Sequence, residues 1–463
     1  MNAHQIAQVS SQLPSALPRL DWITDAQRLQ RLSQDFSWFS PVLKQALQGK
    51  YGDVAVRPRT EGEIASVVAH CARQGLPITV RGSGTGNYGQ STPLHGGVIL
   101  DLSAYNQLCW VHGAVGRAQT GMRLWDLDRQ ARAQGQELRW LPSTYRSATL
   151  GGLFGGGFGG AGSITYGPLA APGNVLAARV MTVEAEPRVL ELRGPDAMRL
   201  HHTYGTTGIV LELEVALAPA TPWLECIATF EGFDAALAFA QQLGQAPGIA
   251  KKELALMAAP IPAYFTGLAA YLPEGCHAVM ALVAPEAEET MHCWLAQHGG
   301  TLRYCVRDQW AADKPVGGHK SLIEYCWNHT TLHALKVDKG LTYLQTGYQP
   351  ARFAEQLHAL RSALSDEVLF HLEFLRNRDG LFSCSGVELV RFTSEQRLNA
   401  IMDIYRQHGV LVHNPHVYVV EDGKGNNQLD PGLLQAKAML DPLNLLNPGK
   451  LRKAGLPACV QQA

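Results

Sequence analysis

The chain is poor in everything that would cross-link it or draw it to a polyanion. Its nine cysteines are scattered and none forms C-x-x-C. Neither a zinc ribbon nor a disulfide framework is indicated, and the expectation is a reducing cytoplasm with cysteines as packing residues. Only 17% of residues are charged and the net charge is −1, which leaves no basic field for nucleic acid or an anionic membrane. No apolar run reaches the length of a transmembrane helix, because charges, proline or glycine interrupt each one. The first twenty residues lack a basic n-region and a continuous apolar h-region, so no signal peptide is expected. What the chain has in excess is glycine, 46 residues clustered at 82–97 and 151–167. With 463 residues, 46% of them hydrophobic, it is long enough for two or three domains with sizeable cores.

The first cluster follows a short apolar run, Ile78 to Val80, with four glycines from Gly82 to Gly89. Such a loop brings bare N–H groups up to an anion, since glycine has no Cβ in the way and takes positive φ. Gly84, Gly86 and Gly89 match G-x-G-x-x-G, but a Rossmann site needs a helix directly after the glycines. Here Ser91-Thr92-Pro93 and Gly96-Gly97 lead into Val98 to Leu102, a turn and then a strand. That disfavours an NAD site. A glycine-rich hairpin without ligand is the bland alternative.

Around this loop the pattern reads β-α-β. A strand at 53–58 stops at proline. Thr60 with Glu63 forms a capping box for a helix over 61–74, closed by Gly75. Further along come a hairpin over 110–119, a helix over 123–134 and strands at 175–184, 188–192 and 209–217. The second cluster, 149–163, mixes glycine with leucine and phenylalanine, unlike a linker. It implies backbone packed against a large flat group. From Trp223 the texture becomes a β-α-β-β pattern of ferredoxin-like flavour, with a second such unit between 341 and 416. The tail 430–446 reads as helical.

Arg81 to Gly89 (R-G-S-G-T-G-N-Y-G), the run from Thr149, Tyr166-Gly167, Gly208-Ile209-Val210 and D-P-x4-N-P-G-K at 441–450 stand in one order. In this the chain resembles the vanillyl-alcohol oxidase / p-cresol methylhydroxylase (PCMH) superfamily of FAD enzymes, in particular glycolate oxidase FAD-linked subunits and D-lactate dehydrogenases. The resemblance implies an α+β fold. Its parts would be a helical lead-in at 1–49, a two-subdomain PCMH-type FAD-binding domain at 50–220, a ferredoxin-like α+β substrate or cap domain at 221–425, and a tail at 426–463 returning to the FAD domain. It implies FAD contacts from Arg81, Gly82, Ser83, Gly84, Thr85, Gly86, Asn87, Tyr88 and Gln90. Further contacts would come from Pro142, Ser143, Thr149, Gly151, Gly152, Gly159, Gly160, Gly162 and Ser163, and from Gly208, Ile209, Val210, Asn447 and Lys450. Thr85 stands where covalently flavinylated relatives carry histidine, so the expectation is non-covalent FAD unless a cap residue attaches it. Gly157 and Phe158 replace the asparagine and alanine usual in the second segment. The metal-holding H-x-x-G-D-G-N-x-H is absent in that form from 413–427, so no metal is expected.

Enzymes of this kind move a hydride from a carbon bearing a hydroxyl to flavin, while the protein orients the donor and handles one proton. Histidine is the usual base. Candidates are His416, with Tyr418 on the same strand face, His329 and His371. The bland readings are a turn role for His416 and a salt bridge for His371 with Glu373. Arg303, Arg307 and the pair Lys251-Lys252 read as solvated charges. His201-His202 read as structural, because neighbours point apart. The expected activity is oxidation of a small hydroxylated substrate, with a 2-hydroxy acid favoured. An oxidase of alcohols, sugars or phenols, or an electron-transfer subunit without its own substrate, remain alternatives. Oxygen, quinone or cytochrome as acceptor, and a homo-oligomer or partner subunit, stay open.

Overall fold

The computed structural model describes residues 1–307, 321–424 and 428–452. Part of the tail assigned to 426–463 therefore lies outside the described residues. The N-terminal half holds two sheets. The smaller has four strands in the order Trp22–Ile23, Val54–Val56, Val98–Asp101, Ile78–Arg81, and its last three are parallel. The helix Glu61–Gln74 makes the crossover from Val54–Val56 to Ile78–Arg81. Its start follows the sequence: Thr60 Oγ1 accepts from Glu63 N at 3.2 Å, and Gly75 ends it at φ +65°. The reciprocal half of the capping box moves by one residue, since Glu63 accepts from Arg59 N at 2.6 Å. Ile64, Val67, Val68 and Cys71 bury one helix face against this sheet.

The second sheet runs Leu108–His112, Val115–Gln119, Ile209–Pro219, Val175–Met181, Val189–Arg193, with Gln136–Leu138 also on the long central strand. The C-terminal half is built on one sheet of eight strands. The two β-α-β-β units meet edge to edge in it, through Lys251–Met257 and His371–Arg376. The start of the second unit divides between two sheets: Leu341–Tyr343 joins a three-stranded sheet and Gln345–Gly347 joins the large one. After the helix Pro431–Leu440 the chain reaches back to the first sheet. Ile78 N donates to Leu445 O at 2.7 Å and Asn447 N donates to Ile78 O at 2.7 Å.

The lysine pair departs from the expectation of solvated charges. Both are buried. Lys252 Nζ sits 2.6 Å from Glu137 Oε1 and 2.9 Å from Leu138 O, and Lys251 Nζ donates to Ala246 O at 2.7 Å. The Lys252 ammonium thus ties the C-terminal sheet to the N-terminal half, since a buried charge persists only when paired, while Lys251 bonds within its own half.

Candidate functional site

A cavity of about 420 Å3 opens between the two halves. One wall is the first glycine loop, from Arg81 to Tyr88 with Gln90. Among the described residues, no backbone N–H between Ser83 and Asn87 donates to a protein acceptor, so this stretch offers several donors to an anion. The loop is braced from behind. Arg81 Nη1 donates to Gln34 O at 2.8 Å and to Ser91 Oγ at 3.0 Å. Gln90 Nε2 donates to Gly156 O at 2.8 Å. Asn447 Nδ2 donates to Gln90 O at 2.7 Å and Tyr204 O at 2.8 Å, and Lys450 Nζ donates to Gly89 O at 2.6 Å. These braces explain some of the glycines: a Cβ on Gly84 or Gly86 would run into the Arg81 or Gln90 side chain packed beneath the loop.

The second glycine segment is a short helix, Leu150–Gly156, which the sequence reading did not assign. Thr149 caps it by accepting from Gly152 N at 3.2 Å. Leu150, Leu153 and Phe154 bury its back, which leaves glycine backbone toward the cavity. A Cβ on Gly155 would meet no protein atom, so the bare face is a cradle that side chains would fill. Pro142, Ser143, Thr149, Gly151, Gly152, Gly159, Gly208 and Val210 also line the cavity. Gly160, Gly162, Ser163 and Ile209 do not. Gly160 and Gly162 allow close packing on Leu141 O and Arg139 O, Ser163 Oγ accepts from Gly160 N, and Ile209 is fully buried in the core. Asn447 and Lys450 act on the cavity only through the braces just described.

None of the four expected catalytic side chains lines the cavity. The His416 ring is buried. Its Nε2 donates to Tyr343 O at 2.8 Å, so Nδ1 accepts from Ser40 Oγ, also at 2.8 Å. Burial pushes this ring down to about 4. His329 Nδ1 sits 3.2 Å from Glu324 O. His371 is fully buried with Nε2 2.7 Å from Glu373 Oε1. The Tyr418 ring stacks under the Lys450 ammonium, 5.1 Å from its centroid.

Other histidines take the place. His413 lines the cavity, as do His201 and His202. The adjacent pair does not simply point apart, because it sits in a turn and His202 adopts φ +54°, outside regular helix or strand. Burial lowers all three rings, His201 to about 3, and the nearby Lys424 charge adds to this in each. All three are therefore neutral imidazoles at physiological pH. Lys424 and Arg378 complete the rim. Among the described residues neither has an acidic side chain within ion-pair distance, and the Lys424 pKa is lowered by burial and then by Arg378. The sequence reading missed both cations. Each stands in a loop beside a glycine, Asp379-Gly380 or Gly423, and such a position looks like ordinary solvated surface.

Free N–H donors, a glycine-faced cradle and a second, cationic compartment fit a ligand with a polyanionic stem and a wide planar ring. The fold and site thus define a flavin-nucleotide binding protein. Residues 52–191 match the FAD binding domain family, which makes FAD the cofactor of this domain. Curated relatives include an uncharacterised FAD-linked oxidoreductase, Rv2280, of Mycobacterium tuberculosis, 30% identical over 42% of this chain and 45% of its own length. The glycolate oxidase subunit GlcD of Bacillus subtilis is 28% identical over 40% of this chain and 41% of its own. The D-lactate dehydrogenase of Anaerostipes hadrus is 28% identical over 36% and 37%. The matches thus span less than half the length of these relatives. A solved structure, alkyldihydroxyacetonephosphate synthase, superposes with TM-score 0.70 at 13% identity, covering 97% of this chain and 86% of that one. That likeness shows the fold.

Proposed function

We propose that this protein is an FAD-dependent oxidoreductase that oxidises a small 2-hydroxy acid in the cavity between its halves, the C-terminal half serving as the substrate-bearing cap. The observation that carries the reading is the pair of unneutralised cations, Arg378 and Lys424, on the same cavity wall as neutral His413. Bound FAD supplies a two-electron hydride acceptor. The remaining tasks fall to side chains. Arg378 offers a planar fork to a carboxylate, and Lys424 offers a point charge. An anion between them removes their mutual repulsion. His413 accepts the hydroxyl proton as hydride leaves, a role that needs the unprotonated ring. The Lys424 charge and burial keep it unprotonated. The Ser83–Asn87 amides take the FAD diphosphate, and Thr85 in that loop cannot form the histidyl link, which favours non-covalent cofactor. The names of the relatives, glycolate oxidase subunit and D-lactate dehydrogenase, agree with this chemistry.

The test is anaerobic bleaching of the purified yellow protein. Glycolate, D- and L-lactate and 2-hydroxyglutarate are compared with ethylene glycol, 1,2-propanediol and benzyl alcohol. A hydroxy acid should bleach the flavin, and Lys424→Met should raise its half-saturating concentration about 10-fold or more, the scale of one charge-assisted bond. Equal bleaching by the uncharged alcohols, unaffected by Lys424→Met, overturns the reading.

A further inference from the structure

Trp327 lines the C-terminal side of the cavity in an unusual backbone conformation. It precedes the helix Asn328–Val337 with φ +51° and ψ −140°, a conformation a bulky residue adopts only when its surroundings impose it. Two buried carboxyls do so. The backbone N–H of Trp327 donates to Glu373 Oε1, and its indole Nε1–H donates to Glu253 Oε2 at 3.0 Å. The two acids sit on adjacent strands of the large sheet, Glu253 on Lys251–Met257 and Glu373 on His371–Arg376. Neither is close to a lysine or arginine among the described residues. Burial raises both, Glu373 to about 8 and Glu253 well above the usual range, so at neutral pH they are uncharged acceptors. Cys326, the third member of this buried group, is likewise held as a thiol by burial. Two neutral acids in an apolar sheet are costly unless their hydrogen bonds do something. Leu254 N and the His371 ring hold the two acids in place, and the acids in turn fix one tryptophan.

The indole so fixed forms part of the cavity wall, and a Cβ on Gly159 of the second glycine segment would lie 3.7 Å from its Cη2. The indole thus stands where the cofactor half and the cap half meet.

We propose that Trp327 is the specificity-determining wall of the substrate compartment, limiting how far a chain can extend from the carboxylate held by Arg378 and Lys424, and that Glu253 and Glu373 are its positioning residues. The proposal rests on the 2-hydroxy acid reading above. An indole locked at both its backbone and its ring nitrogen cannot swing aside, so the compartment has a fixed depth. Truncating it opens volume in line with the second glycine segment. Releasing it, by removing one acceptor, makes that volume available part of the time.

The experiment uses FAD-loaded protein and unreactive straight-chain carboxylates from acetate to octanoate, read by the shift each causes in the flavin absorbance spectrum. Variants are Trp327→Phe, Trp327→Ala, Glu253→Leu, Glu373→Leu and Glu373→Gln. Wild type should favour the shortest acids. Trp327→Ala should improve the Kd of hexanoate relative to acetate at least 10-fold, and Trp327→Phe about 3-fold. Glu253→Leu and Glu373→Leu should move the ratio the same way without touching the cavity. Glu373→Gln keeps the Oε1 acceptor in a neutral group and should retain the wild-type ratio. An unchanged chain-length ratio in FAD-loaded Trp327→Ala, or in Trp327→Phe should the alanine variant fail to fold, overturns the proposal. Wild type that responds to no carboxylate at all instead sinks the anionic-substrate reading beneath it.

Discussion

Asn447 offers the sharpest test of how the cofactor site is assembled. Its carboxamide spends both N–H donors on two separate cavity-lining segments, at Gln90 O and Tyr204 O. The side chain is buried, and the residue sits at φ +40°. Asn447→Ala orphans two buried carbonyls, at about 1–3 kcal/mol each. Water can reach one or both from the cavity, so the lower half of that range applies, about 2–4 kcal/mol for the pair. Alanine at positive φ adds roughly 1 kcal/mol, which Asn447→Gly avoids. The loops it ties line the cavity proposed to take FAD, so part of this cost should fall on binding. If half does, the FAD Kd rises by about 10-fold or more, at about 1.4 kcal/mol per decade. The measurements are urea unfolding of the FAD-free protein and titration of FAD by quenching of its fluorescence. Asn447→Ala and Asn447→Gly should both weaken FAD binding, with alanine the less stable of the two. If both variants bind FAD within twofold of wild type, the bracing argument is wrong.

Three further outcomes follow from the same geometry. Gly84→Ala requires a β-carbon at φ +65° in the space filled by the Arg81 guanidinium, and should yield folded protein that purifies without yellow colour; normal flavin content would refute it. Burial pushes Lys450 down to about 7 against 10.5 in the unfolded chain, so the unfolded state binds more protons across that window and this residue makes stability rise with pH between them. Lys450→Met should flatten the FAD-free stability–pH slope between pH 7 and 10 by up to roughly 1.4 kcal/mol per unit, read by urea unfolding at each pH. Lys252→Met removes one of two cations from the buried Glu137 carboxylate, Arg132 and the Trp223 indole remaining, and should cost about 1.5–3 kcal/mol, the scale of one hydrogen bond to a charged group, seen as a lowered unfolding midpoint in the same assay.

The N-terminal half was the legible part of the chain. Its elements are local: a β-α-β unit with a cap at Thr60, a stop at Gly75 and a loop whose glycines announce themselves. The helix at 150–156 was hidden although Leu150, Leu153 and Phe154 have helical spacing, because four glycines in seven residues carry a propensity against helix that tertiary packing overrides. The catalytic candidates fared differently. His416 and His371 stand out as histidines that share a strand face with Tyr418 and Glu373, and the structure shows both rings satisfied by protein partners, Ser40 and Tyr343 for the first and Glu373 for the second. Lys424 and Arg378 gave no such signal. Their meaning comes from facing one cavity across a long stretch of intervening chain, and no local pattern encodes that. The burial of Lys252 was equally illegible, since its partner Glu137 stands 115 residues away.

The return of the chain to its first sheet has a consequence during synthesis. Ile78 bonds to Leu445, and the first glycine loop is tied down by Asn447 and Lys450. A ribosome has therefore made more than 360 residues beyond the first glycine loop before that loop acquires its last supports. Nascent chains that stop short of residue 445 should emerge colourless however well their earlier domains fold. A peptide carrying residues 428–452, supplied separately, should restore flavin uptake to them. Yellow colour thus reports that the segment 445–450 has been made and has docked.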